Sequence, residues 1–222
     1  MPVYCQDITI RYKRKEILSD LNLDFPDGQI NALYGPSGSG KTALLMALAG
    51  KLKPAAGVVK VSGLDITGRP DKAQGQIGLG VIQEFNPLFK QLTVEENMLF
   101  RAQGLRLSHP RQAVAELIRG FELENIAKQR ADSLPALKSA ETCLAIALLN
   151  DPGILLLDQP EYGLTTEQTA LFWVRLTRLK QKGKNIILTT RYHEVAARCD
   201  QTVIMPQGKV VDSGALTKYC FA

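Results

Sequence analysis

Apolar positions along this chain fall into short runs of two kinds, and their alternation lays out the elements. In the first third, β-branched and aliphatic runs at residues 3–10, 29–34, 58–62 and 77–82 predict strands, punctuated by Asp27, Gly28, Pro54 and Gly57. Residues 43–49 differ: they are uniformly helix-favouring and end at Gly50, which predicts a helix. From Thr93 onward the spacing becomes helical, over 94–103 and 111–121, with Ser108, His109 and Pro110 between. This middle stretch predicts an inserted helical subdomain at about residues 84–150. The last third alternates: helix 138–150, strand 154–157, helix 166–182, strand 185–190, and short strands around Val203 and Val210. Wholly apolar strands alternating with helices predict an α/β fold with a parallel sheet covered on both faces.

Composition narrows the class without changing this outline. The 222 residues suit one large domain or two small lobes, and 45% hydrophobic with 22% charged residues fits a globular chain. The longest apolar runs, 43–49 and 143–149, are far short of the ~20 residues a membrane helix needs. The first residues lack the basic start and apolar core of a secretory signal, so a cytosolic location is expected. Cys5, Cys143, Cys199 and Cys220 have no CxxC spacing and read as reduced thiols, mostly buried. The net charge of +5 permits nucleic acid or an anionic membrane face as a neighbour and demands neither. Both basic clusters, Lys13 with Arg14 and Lys15, and Arg175 with Arg178, Lys180, Lys182 and Lys184, read as solvated surface.

The chemistry is concentrated in Gly35, Pro36, Ser37, Gly38, Ser39, Gly40, Lys41 and Thr42, which fill every fixed position of a phosphate-binding loop. With glycine at about 7% of residues, a chance match in a chain this long has odds of roughly 1% or less. Its glycines let the backbone wrap an anion, so that N–H groups converge on the β- and γ-phosphates. Lys41 supplies a point charge and Thr42 a hydroxyl for Mg²⁺. The loop lies between a predicted buried strand and a predicted helix, the context the motif requires.

Together these pieces resemble the ATP-binding cassette (ABC) ATPases over essentially the whole chain. The resemblance implies a P-loop NTPase fold: a mainly parallel central sheet, an N-terminal antiparallel β subdomain and an inserted helical subdomain, within one nucleotide-binding domain over residues 1–222. It implies ATP and Mg²⁺ as cofactors. Tyr12 stands where the family keeps an aromatic residue that stacks on adenine; taken alone it reads equally as a strand-end surface tyrosine. Gln83 resembles the glutamine that reaches Mg²⁺ and the attacking water, and the segments Pro87, Leu88, Phe89 and Leu92 to Asn97 also resemble the family. Ile154, Leu155, Leu156 and Leu157 resemble the buried strand that delivers a metal-binding carboxylate, here Asp158.

Three catalytic positions and one dimer-coupling segment depart from the family pattern. After Asp158 the family has a glutamate that polarises the attacking water; this chain has Gln159, whose amide accepts no proton at neutral pH, a loss typically worth about 10²–10⁴-fold. Glu161 lies beyond Pro160 and is a doubtful substitute. Arg191 replaces the histidine expected after strand 185–190, and can grip a γ-phosphate but not shuttle protons. His193, two positions on, is turned by roughly 200° if helical and faces elsewhere. The family's Leu-Ser-Gly-Gly-Gln signature falls on Leu134, Pro135, Ala136, Leu137 and Lys138, where Pro135 removes both a hydroxyl and an N–H. A helix dipole and Lys138 are what remain there. Tyr162, Gly163, Leu164 and Thr165 lack the aspartate of the family's dimer-coupling loop.

The expected function is therefore an ATP-binding subunit of a membrane transporter that holds MgATP and hydrolyses it weakly or not at all. Its implied partners are a transmembrane subunit and a second cassette, as homodimer or heterodimer, which would place it on the inner face of a membrane. Two alternatives stay open: an active ATPase using Arg191, and a regulator or scaffold outside transport. A nucleic-acid partner is not expected.

Overall fold

The computed structural model describes residues 1–12, 15–73, 75–80, 88–207 and 209–212. Its first two strands, β1 (Val3–Tyr12) and β2 (Lys15–Phe25), pair antiparallel. β2 lies outside the elements expected from the pattern. Its buried Leu18, Leu21, Leu23 and Phe25 are thrown out of strict alternation by adjacent Ser19 and Asp20, where the register shifts and Asp20 takes a φ of 52°. A bulge thus hides a period-2 signal that its charged outer face already weakens.

The chain continues through β3 (Ile30–Tyr34), α1 (Lys41–Leu48), β4 (Ala56–Val61), β5 (Leu64–Asp65), α2 (Pro70–Ala73) and β6 (Ile77–Leu79). Residues 81 and 82, the end of the strand expected over 77–82, lie outside the described residues. Then come α3 (Val94–Gly104), α4 (Pro110–Gly120), α5 (Ala136–Ala147), β7 (Ile154–Asp158), α6 (Thr166–Gln181), β8 (Asn185–Thr190), α7 (His193–Ala196), β9 (Gln201–Ile204) and β10 (Lys209–Asp212). One sheet is antiparallel in the order β2-β1-β4-β5. The other runs β10-β9-β3-β8-β7-β6, parallel except for β10.

Helix starts follow from local chemistry. Thr93 caps α3 and Thr165 caps α6, each in a reciprocal capping box, with Glu96 and Gln168 respectively. Pro110 opens α4. α5 begins at Ala136, two residues before the expected 138, because Pro135 occupies its N-cap. It ends at Ala147 rather than 150.

Alternation along the central strands sends side chains to two separate cores. Leu155, Leu157, Ile186 and Leu188 pack with Val94, Met98, Leu144, Phe172, Leu176 and Val195, so α3 and α5 to α7 share one core with that face. Ile154, Leu156, Ile187 and Leu33 pack with Leu44, Leu45 and Leu48 of α1 and with Ile8, Leu23, Phe25 and Val59 of the antiparallel sheet. Cys5 and Cys199 are buried free thiols, and burial pushes the Cys5 thiol up to about 12. Cys220 lies outside the described residues. No helix among the described residues is long and apolar enough to cross a membrane.

The expectation of solvated basic clusters holds for Lys15, Arg178 and Lys182, which are exposed, and fails for Arg175 and Lys184. Lys13 and Arg14 lie outside the described residues. In the second cluster, Arg175 is only 17% exposed and pairs with Glu122 and Glu141, while Lys184 is 13% exposed and pairs with Asp151 at 2.6 Å. Long aliphatic stems cover the helix surface while each charge finds a local carboxylate.

Asn185 ties the two sheets together. Its Nδ2 donates to the Phe25 carbonyl at 3.2 Å and its Oδ1 accepts from Asn31 Nδ2 at 3.1 Å, all in buried surroundings. Asn185→Leu leaves a carbonyl and an amide unpaired and should lower unfolding stability by about 3 kcal/mol, read as a drop in the urea midpoint.

Candidate functional site

Residues 35–40 link β3 to α1 at the carboxyl edge of the parallel sheet. Two glycines there have steric causes. A Cβ on Gly35 would lie 2.5 Å from the Met205 carbonyl oxygen, and Gly40, the N-cap of α1, has a φ of 89° with Ile17 Cγ2 2.9 Å from any added Cβ. Lys41 is buried, and its Nζ donates to the carbonyls of Gly35 at 2.8 Å and Pro36 at 2.7 Å and to Ser39 Oγ at 3.3 Å. Burial holds the ammonium below its ordinary pKa, opposed by the Asp158 carboxylate. A phosphate entering the loop offers this ammonium charged acceptors in place of neutral carbonyls.

Asp158 ends β7 and meets two hydroxyls. Thr42 Oγ1 donates to its carboxylate at 3.1 and 3.2 Å, and Thr189 Oγ1 donates at 2.5 Å. The Thr189 hydroxyl also accepts from the Gln159 N–H at 2.9 Å. One carboxylate and one hydroxyl, hard oxygen donors facing each other beside a phosphate loop, fit Mg²⁺, which keeps most of its shell for water and phosphates. Among the described residues no group of three or more His, Cys, Asp or Glu could hold a metal alone.

Gln159 takes a φ of 44°, a left-handed conformation uncommon for a residue with a side chain. It lines a cavity of about 840 Å³ together with Ser37, Thr42, Asp158 and Arg191, closed on the other side by residues of α5. Glu161 does not join them. It is buried, with its Oε1 accepting from Thr190 Oγ1 at 2.5 Å. Neighbouring strand residues point to opposite faces, so Thr189 serves Asp158 while Thr190 binds Glu161. Burial raises the Glu161 pKa, partly offset by the Thr190 hydrogen bond.

Arg191 is exposed, its guanidinium 5.4 Å from the Tyr192 ring centroid and 5.9 Å from that of Tyr162. His193 opens α7 and packs its ring edge-on against Tyr34, away from the cavity lining as expected, although Arg191 and Tyr192 precede the helix, so helical rotation is not what turns it. At the start of α5, Pro135 offers no side-chain cap, and Lys138 is taken up by buried Glu141 at 2.8 Å. Lys138 is therefore not the free cation its position suggests. Tyr12 closes β1 opposite Lys15, whereas Gln83 lies outside the described residues. Thr189 and Thr190 are site residues that sequence reasoning does not single out; two hydroxyls following the apolar run Ile186 to Leu188 are the available signal.

Comparison with known proteins agrees with this geometry. Residues 18–161 match the family described as ABC transporter. The Nod factor export ATP-binding protein I of Burkholderia orbicola is 34% identical over 217 residues, covering 96% of this chain and 71% of that protein. Among solved structures, the dimeric post-hydrolysis state of an ATP-binding cassette bound to ADP and Pi superimposes with a TM-score of 0.82 at 26% identity, covering 95% of this chain and 98% of that one. A Clostridium perfringens cassette that is part of an ABC transporter complex gives a TM-score of 0.82 at 21% identity, covering 98% and 90%.

The raised Glu161 pKa sets a pH signature. The native state keeps this proton at pH values where the unfolded chain has lost it. The residue's contribution to stability is thus full below the ordinary carboxylate pKa and declines as pH rises through the raised native value. Thermal midpoints of wild type and Glu161→Gln, measured from about pH 4 to about pH 8, should diverge in favour of the variant as pH rises. A constant difference would mean that Glu161 titrates normally.

Proposed function

The chain belongs to the ABC transporter family as an ATP-binding subunit, and from that premise we propose that it binds MgATP and hydrolyses it weakly or not at all. The observation that carries this reading is the pairing of Gln159 and Glu161. An amide stands at the cavity beside Asp158 and Thr42, and the next carboxylate along the chain is buried against Thr190, outside the cavity lining. Among the described residues the cavity lining offers a water aimed at the γ-phosphate no carboxylate besides Asp158, which this reading commits to Mg²⁺, and an amide does not serve as a general base.

In this reading Tyr12 stacks on adenine, residues 35–40 wrap the phosphates, and Lys41 exchanges its carbonyl partners for phosphate oxygens. Thr42, Asp158 and Gln83 hold Mg²⁺, which neutralises phosphate charge when bound. Arg191 supplies a planar donor at the cavity where a proton-carrying histidine is absent. A head-to-tail cassette dimer would bring the start of α5 to the partner's nucleotide, and there Pro135 has no N–H and Lys138 is already paired with Glu141. Both sites of a homodimer would be incomplete, and a heterodimer would have the same two deficits, one in each site.

The partners proposed are a transmembrane subunit and a second cassette, with the chain held at the inner face of a membrane. The names of the curated relatives favour an exporter as the assembly it serves.

Restoring the two missing groups tests the reading. Gln159→Glu with Arg191→His should raise steady-state ATP turnover by about tenfold or more, short of a full 10²–10⁴-fold because Pro135 remains. An unchanged rate with nucleotide still bound would remove these two positions as the cause.

A further inference from the structure

Glu161 sits in the turn after β7, three residues past Asp158, and is 6% exposed. Its Oε1 accepts from the Thr190 hydroxyl, and its Oε2 has no partner among the described residues. A core position filled only for volume would take leucine, because a buried, half-satisfied carboxyl carries a desolvation cost that an apolar side chain avoids. Burial opposing its ionisation is consistent with that cost.

What Glu161 holds explains its presence. Thr190 Oγ1 donates to Glu161 and accepts from the Tyr192 N–H at 3.0 Å, so a chain of two hydrogen bonds brackets Arg191. The backbone on both sides of Arg191 is thereby tied to the turn that also carries Asp158 and Gln159. Its side chain, in contrast, is held lightly. The guanidinium has two exposed tyrosine rings and one 3.3 Å hydrogen bond from Nη2 to the Tyr192 hydroxyl, and among the described residues it makes no salt bridge. Contacts of this kind are easily exchanged for a phosphate, which Arg binds through a planar fork of donors. Tyr162, next to Glu161, supplies one of the two rings, so a single turn fixes the base of the arm and rests its tip.

We propose that Glu161 is a positioning residue of the nucleotide site: through Thr190 its carboxyl fixes the pivot from which Arg191 reaches the terminal phosphate of ATP. This rests on the nucleotide-binding reading above and deepens it, because a pivoted Arg191 makes the site prefer a nucleoside triphosphate to a diphosphate. Glu161 needs no contact with the nucleotide to do this, and Gln159 is not involved.

Calorimetric titration of the full chain with MgATP and with MgADP tests the assignment. Glu161→Leu and Thr190→Val should each weaken MgATP binding about five- to tenfold and leave MgADP within about twofold, the scale of one hydrogen bond. Thr190→Val removes the same bond from its other end with little change of shape, and so gives the result even if Glu161→Leu does not fold. Glu161→Gln retains an acceptor for Thr190 and should recover most of the preference. In an Arg191→Ala background, Glu161→Leu should have no further effect. Equal losses for both nucleotides, or losses that add in the double variant, would overturn the assignment. If Arg191→Ala alone leaves the ATP-to-ADP ratio unchanged, the pivot positions nothing and the inference fails. The nucleotide-binding reading is judged separately, by wild-type binding and its loss in Lys41→Ala.

Discussion

Three side chains from three elements distant in the chain meet at one point: the carboxylate of Asp158 on β7, the hydroxyl of Thr189 on β8, and the hydroxyl of Thr42 in the first turn of α1. β8 lies between β3 and β7, so the helix that follows the phosphate loop must reach across it to touch Asp158. That reach exists because β3, β8 and β7 are parallel and their carboxyl ends share one edge, where α/β sheets bind ligands. The apolar residues of β7 and β8 hold the edge rigid from both cores, leaving the polar chemistry of the site at the last one or two positions of each strand.

On the proposed reading, the same geometry separates the parts that bind from the parts missing for hydrolysis. Parallel strands alternate their side chains, so consecutive threonines at the end of β8 serve different partners: Thr189 supports the Asp158 carboxylate, and Thr190 binds buried Glu161, which is absent from the cavity lining. Gln159 takes its left-handed turn between these two commitments, its N–H fixed by Thr189. The loop around Lys41 is complete in every steric detail that its glycines require. A site so well built for an anion beside a position so poorly supplied with a base is the physical ground for proposing retention of nucleotide over its consumption.

Much of this was legible in the chain itself. The phosphate loop declares itself because its glycines, lysine and threonine must stand at fixed spacing, and Ile154 to Asp158 because a fully buried strand ending in a carboxylate has few other uses. Helices α3 and α6 were marked by their apolar spacing, and their threonine caps fix where they start. Three features were not legible. β2 was hidden by the bulge at Ser19 and Asp20, which interrupts its period. Lys138 looked like a free cation because its buried partner Glu141 is a turn further along the same helix, fixed in place by Arg175 from α6. Glu161 could be seen in the sequence, but which threonine it meets depends on the register of β7 with β8, which the sequence does not show.

The most direct test follows bound nucleotide and released phosphate together, for the purified chain with MgATP beside a Lys41→Ala control. The account predicts saturable binding that the control lacks, with phosphate release no faster than in the control. Rapid release that disappears with Lys41→Ala would contradict it, and would mean that the cavity beside Gln159 activates water by some other group.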